Sequence, residues 1–195
     1  MVNLSKGQKL SLDKNMQLCL VGLGWDPNRY RGHHDFDLDA SVFLLAANGR
    51  VRSDDDFVFY GNQEHYSGAV RSTGDDRTGG NSDDGDDEQI IINLGRIPAH
   101  VQKLVITVSI YDAQVRRQNF GQVSNAYVRV AKIRNENDQD GYEVVRYDLD
   151  EEFSTETAIV ACEIVRDGSE WKFCAIGEGY SGELYGLCRK YGIDV

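Results

Sequence analysis

Three carboxylates alternate with apolar side chains in the run HDFDLDASVFLL. In an extended chain successive side chains point to opposite faces, so Phe36, Leu38, Ala40, Val42 and Leu44 form one apolar face and Asp35, Asp37 and Asp39 line the other. Three like charges in a row repel one another unless water or a cation neutralises them. This pattern alone leaves both readings open. Further acids stand at Asp26, at the end of the run GLGWD, at Asp54 to Asp56, and most densely between Asp75 and Glu88. That last segment holds seven acids and one base, a charge of −6 in 14 residues, whereas the other 181 residues carry −5 of the total −11.

Gly74, Gly79, Gly80 and Gly85 are interleaved with the acids of this segment and let the backbone curl so that several oxygens meet at one point. Ca²⁺ takes six to eight hard oxygen ligands at about 2.3 to 2.6 Å in irregular geometry, while Mg²⁺ demands near-octahedral order. A glycine-rich acidic loop therefore suits calcium better. Transition metals recruit imidazole or thiolate, and the segment has neither. The helix-flanked calcium loop D-x-[DN]-x-[DN]-G is not met from Asp75 or Asp83, so an EF-hand is excluded. Composition leaves the loop as either an ion ligand or a solvated acidic segment; its position immediately before the strand-like run QIIINL argues against a disordered tail.

Catalytic patterns are sparse. There is no G-x-S-x-G elbow, phosphate-binding glycine loop or H-E-x-x-H pair. Paired carboxylates could act as general acid and base, but one of them would need a dry surrounding, which a glycine-rich acidic loop does not offer. His33 and His34 read as exposed loop residues. Arg116 and Arg117, in AQVRRQNFGQ, could contact an anion or a partner, or form local salt bridges. A metal-dependent hydrolase acting on a phosphate ester or similar anion is the alternative function, with the same acids holding metal and an arginine holding substrate. A third is an interaction module whose acidic loop docks on a basic partner.

The elements that must position these residues are short. Apolar alternation predicts strands at Met16 to Leu23, Asp35 to Leu45, Phe57 to Tyr60, Gln89 to Leu94, Lys103 to Tyr111, Ala126 to Ile133, Glu143 to Leu149, Thr157 to Val165 and Trp171 to Ile176. Asn48-Gly49, Gly61-Asn62, Asp140-Gly141 and Asp167-Gly168 supply turns between them. The expected fold is all-β, an antiparallel β-sandwich with a short C-terminal helix, in a single domain spanning 1–195. Leu184, Leu187, Cys188 and Tyr191 have helical spacing, with Ser181 as the expected N-cap and Gly192 just past the end. That helix is expected to close one end of the sandwich.

With 41% hydrophobic residues the chain can bury a core, and no run is long and apolar enough to span a bilayer. The start MVNLSKGQKL lacks a secretory signal, which predicts a cytoplasmic protein. A pI near 4.7 argues against nucleic acid and anionic membrane surfaces as partners. Cys19, Cys162, Cys174 and Cys188 are scattered among apolar neighbours and read as reduced, buried side chains without a zinc site.

The strings GLGWDPN, DFDLDASVFLL, SDDDFVFY, TGDDRTG, GDDEQI, RRQNFGQVSNAYVRV, YDLDEEFSTETA and EWKFCAIGEGYSGELYGLC closely resemble the TerD family of bacterial tellurium-resistance and stress-response proteins, in order and over almost the whole chain. The resemblance implies a cytoplasmic, noncatalytic β-sandwich that binds Ca²⁺ through its acidic loop and acts as a sensor or scaffold. It also implies other Ter-type stress proteins as partners, including a TerC-like integral-membrane protein. On the family's loop pattern the ligand role carries over to Asp75, Asp86, Asp87 and Glu88; Asp76 stands where asparagine is usual and still offers oxygen. The stretch GGNSDDG is two residues longer than the family's spacing; within it Asp84 is carried as a ligand and Asp83 is left unassigned. Asp26, Asp37 and Asp39 match the family as supporting ligands.

Overall fold

The computed structural model describes residues 2–29, 34–80, 85–138, 141–149 and 153–194. In chain order the strands are β1 (Val2–Asn3), β2 (Lys9–Ser11), β3 (Leu18–Gly24), β4 (Leu38–Leu45), β5 (Phe57–Val58), β6 (Val70–Ser72), β7 (Glu88–Asn93), β8 (Lys103–Ile110), β9 (Tyr127–Lys132), β10 (Tyr142–Asp148), β11 (Ala158–Asp167) and β12 (Glu170–Tyr180). They form two six-stranded sheets, ordered β1-β10-β9-β3-β7-β6 and β2-β12-β11-β8-β4-β5. Every pairing is antiparallel except that of β1 with β10. The expected sandwich is present. Its nine anticipated strands all appear, with edges shifted by a few residues, and β1, β2 and β6 are additional edge strands too short to show alternation.

Alternation builds the core. Leu38, Ala40, Val42 and Leu44 of β4 face Val21, Leu23, Ile90 and Ile92 of the opposite sheet's strands in one continuous buried cluster. The other side of β4 departs from the expected acidic face. Asp37 and Asp39 lie there, but Phe43 and Leu45 follow them, and all eight residues of the strand are buried. The cover over Phe43 and Leu45 is helix α2 (Glu183–Tyr191), which brings Leu187, Cys188 and Tyr191 onto Phe57, Val105 and Val160. The helix thus lies on the outer face of the second sheet rather than closing an end of the sandwich. Its N-cap is Gly182, not Ser181, and makes no side-chain capping bond; Gly192 ends the helix in the left-handed region at φ 94°, as expected. A one-turn helix, α1 (Ala113–Arg116), follows β8 and was not signalled by periodicity, because four residues make barely one turn. All four cysteines are free and buried.

The acidic segment 75–88 joins β6 to β7, which are paired neighbours in the first sheet. Its described start, at Asp75 and Asp76, lies beside Asp37, Asp39 and Glu88, so the sandwich brings that part of the loop and the acids at the start of β4 to one seam.

Candidate cation site at the sheet seam

Asp37, Asp39 and Asp75 come together: one carboxylate oxygen from each lies within 4.8 Å of the others. Two oxygens on opposite sides of a Ca²⁺ ion stand about 4.6 to 5.2 Å apart, so the three oxygens lie close enough together to reach one such ion. Asp37 and Asp39 are buried and Asp75 is exposed, so the group opens to one side. It opens into a cleft of about 330 Å³ walled by Tyr60, Tyr111, Arg77, Thr78 and Arg116.

Position follows from the sheets. Asp39 sits on β4 opposite Ser109 of β8, and Asp37 is held by its backbone carbonyl, which accepts from the Tyr111 amide at 2.8 Å. Strand β5 pairs with only Val42 and Phe43, which leaves the β4 edge at Ala40 without a strand partner. The Glu88 carboxylate takes that place: its Oε2 accepts from the Ala40 amide at 2.7 Å and its Oε1 from the Asp76 amide at 3.4 Å. Glu88 thereby ties the start of β7 to β4 and to the loop.

Burial leaves this group short of stabilisation when charged. Asp39 is 4% exposed and, among the described residues, its carboxylate has no hydrogen-bond or ion-pair partner. Desolvation, then the charges of Asp37 and Asp75, push its pKa up to about 7. Desolvation raises Glu88 to about 9 against the opposing Ala40 amide, with Asp39 adding to the rise. Asp37 is raised by desolvation and by Asp75, and Arg116, whose Nη1 lies 3.3 Å from Oδ2, acts in the other direction. A dense set of hard oxygens with an unpartnered buried member fits a divalent cation, which would supply the missing charge.

The other anticipated ligands that the structure describes, Glu88 apart, have partners outside this three-oxygen group. Asp86 lies across β3 and β9: Arg129 grips it with Nε to Oδ1 and Nη2 to Oδ2, both at 2.7 Å, and Tyr127 and Gln89 also donate to it. Its side chain is fully buried against Gly22, where a Cβ would come within 2.2 Å of the carboxyl. Asp87 Oδ2 accepts from the Trp25 amide at 2.8 Å, pinning the loop to the end of β3. Asp76 Oδ1 accepts from Thr78 and from the Gly79 amide, shaping the turn in which Gly79, at φ 71°, lies over the Trp25 indole. Asp26 pairs with Arg29 and Asn125. Asp35 is exposed, and Asp83 and Asp84 lie outside the described residues, as does His33. Sequence reasoning did not anticipate the Arg129 and Tyr127 grip on Asp86 or the Glu88 link to Ala40; both cross strand boundaries that only the sheet order reveals.

The Asp54 to Asp56 cluster is separate too. Asp56 Oδ1 meets His65 Nε2 at 3.0 Å, and His65 Nδ1 meets Ser67 Oγ at 2.7 Å. This Asp, His and Ser relay has the atoms of a hydrolytic triad, yet His65 is fully buried and its loop is a tight turn closed by Gly68 N to His65 O. It staples the β5–β6 connection.

Fold and site together define a β-sandwich protein with a cluster of carboxylates at the seam of its two sheets. The TerD domain family matches residues 1–191, and the chain belongs to that family. It is 52% identical to the tellurium resistance protein TerD of Serratia marcescens, over 99% of this chain and 98% of that one. It is 48% identical to general stress protein 16U of Bacillus subtilis, over 100% of this chain and 98% of the relative. The crystal structure of a homologue of telluride resistance protein (TerD) from Streptomyces coelicolor A3(2) superposes with a TM-score of 0.70 at 22% identity, covering 89% of this chain and 95% of that one, a likeness of fold.

Proposed function

We propose that this protein is a noncatalytic Ca²⁺-binding sandwich that serves a bacterial tellurite and stress-resistance system as a sensor or scaffold. The observation that carries the reading is the buried, unpartnered Asp39 beside Asp37 and Asp75. In this reading those three carboxylates hold the ion, Glu88 adds charge beside them, and bound Ca²⁺ joins the loop of one sheet to β4 of the other. The names of the relatives support the resistance and stress setting. A cytoplasmic address and a TerC-like membrane partner belong to the same proposal; among the described residues no helix is long and apolar enough to cross a membrane.

The test is thermal unfolding with excess Ca²⁺ and with chelator. A ligand that binds only the folded state adds about 2.7 kcal/mol at a hundredfold excess over Kd. The calcium curve should lie several degrees higher, and coincident curves would remove the proposal. Turnover of generic phosphate esters, lost in Asp39→Asn, would instead support the hydrolase alternative.

A further inference from the structure

On the far side of Arg116 lies a second cleft, of about 400 Å³, lined by Asn28, Arg116, Arg117, Gln118, Gln122 and Ser124 and by no carboxylate among the described residues. We propose that this cleft binds a phosphate monoester that also carries a hydroxyl group, and that Arg116 couples it to the cation site.

Two groups there lack partners. Gln118 is 6% exposed, and its Nε2 donates to the carbonyls of His34 at 2.8 Å and Asp35 at 3.1 Å. Those two acceptors fix the amide's orientation, since the flipped amide would set oxygen against oxygen. Its Oε1 is therefore the atom left over, buried and without a hydrogen-bond donor. A buried acceptor in that state costs free energy until a donor arrives. Arg117 is exposed, and its side chain has no hydrogen-bond or ion-pair partner among the described residues. Its backbone, at φ 56°, donates its N–H to the carbonyls of Ala113 and Gln114 at the end of α1, so the side chain leaves from a fixed point.

The chemistry of the ligand follows. A guanidinium matches a phosphate through parallel N–H donors. The orphan Gln118 oxygen needs an O–H or N–H; a hydroxylated phosphate ester supplies it from a hydroxyl apart from the phosphoryl oxygens that a guanidinium takes, whereas inorganic phosphate has only the O–H on its own phosphorus. In a chain of net charge −11 a cleft with two arginines and no acid among its described lining residues is a place where an anion is less repelled.

Arg116 lines both clefts. Its guanidinium lies 3.3 Å from Asp37 Oδ2 and 5.1 Å from the Tyr111 ring centroid. A cation on Asp37, Asp39 and Asp75 draws on the same Asp37 carboxylate and repels the guanidinium, which frees Arg116 for an anion on the other side. This linkage rests on the cation reading; the cleft itself does not.

Calorimetric titration of the full chain with ribose 5-phosphate, inorganic phosphate and ribose, each with and without Ca²⁺, tests both parts. Ribose 5-phosphate should bind more tightly than phosphate, and ribose should not bind. Arg117→Ala should weaken ribose 5-phosphate about tenfold, the loss of one charged hydrogen bond, while its thermal unfolding stays that of the parent. Calcium should strengthen ribose 5-phosphate about fivefold or more, and ribose 5-phosphate should strengthen calcium by the same factor. Absence of binding, or equal binding by Arg117→Ala, would overturn the cleft. Calcium that binds without changing ribose 5-phosphate affinity would overturn the linkage alone, and calcium that does not bind, with the cleft intact, would overturn the cation reading alone.

Discussion

At the scale of single residues, the acids divide by what already satisfies them. Asp86 has an arginine, a tyrosine and a glutamine donating to it; Asp39 has no hydrogen-bond donor among the described residues, and the charges of Asp37 and Asp75 act on it more strongly than those of Arg77 and Arg116. Their substitutions should therefore behave oppositely. Asp39→Asn removes a charge that the cation-free protein is penalised for, so it should unfold at the same or a higher temperature without calcium and lose most of the about 2.7 kcal/mol gained at a hundredfold excess. Asp86→Asn removes the carboxylate that Arg129, with a side chain only 13% exposed, grips at two points, and should cost about 3 kcal/mol or more in urea unfolding while the calcium increment survives. Gly22→Ala, whose methyl would press on the Asp86 carboxyl, should mimic that loss. Glu88→Gln keeps an oxygen for the Ala40 amide; because Glu88 is pushed up to about 9 it is protonated near neutrality, so cation-free stability should change by less than about 1 kcal/mol and calcium affinity should fall.

At the scale of elements, the alternation in the 35–45 run was legible because period two is a direct consequence of the pleat, and it placed Asp37 and Asp39 on one face together. What alternation does not carry is the cover over that face. Phe43 and Leu45 required α2 above them, and the apolar stripe of α2 was visible without its destination. The loop was legible as a dense charge, and the family resemblance assigned ligands along it. Separating Asp75 from Asp86 and Asp87 depends on which strand each one meets, and neighbouring residues of a loop can be claimed by different sheets. The N-cap of α2 shows the same limit. Ser181 has the chemistry, but Glu183, at φ 51°, turns the chain so that its amide meets Thr157 Oγ1 and its carboxylate meets the Gln114 amide. Glu183→Ala should thus loosen α1 against α2, seen as faster amide exchange at Gln114, with the calcium response unchanged.

For the whole molecule, the carboxylates of Asp37, Asp39, Asp75 and Glu88 gather where the two sheets meet, so stability should depend on pH through the seam. Asp39 and Glu88 have folded pKa values raised above the unfolded ones, so the folded state holds more protons and stability falls as pH rises through their folded values. Cation-free protein should lose stability between about pH 5 and pH 8 as Asp39 ionises, while the calcium increment grows over the same interval because the ligands must be deprotonated to bind. Chelated protein whose stability is flat across that range would contradict the placement of Asp39. The central claim, that Asp37, Asp39 and Asp75 form the cation site, is tested most directly by a calorimetric Ca²⁺ titration of the parent protein beside Asp39→Asn and Asp86→Asn. Saturable binding in the parent and in Asp86→Asn, abolished in Asp39→Asn, is the predicted result. Binding that survives Asp39→Asn and disappears in Asp86→Asn would contradict it and return the site to the far end of the loop.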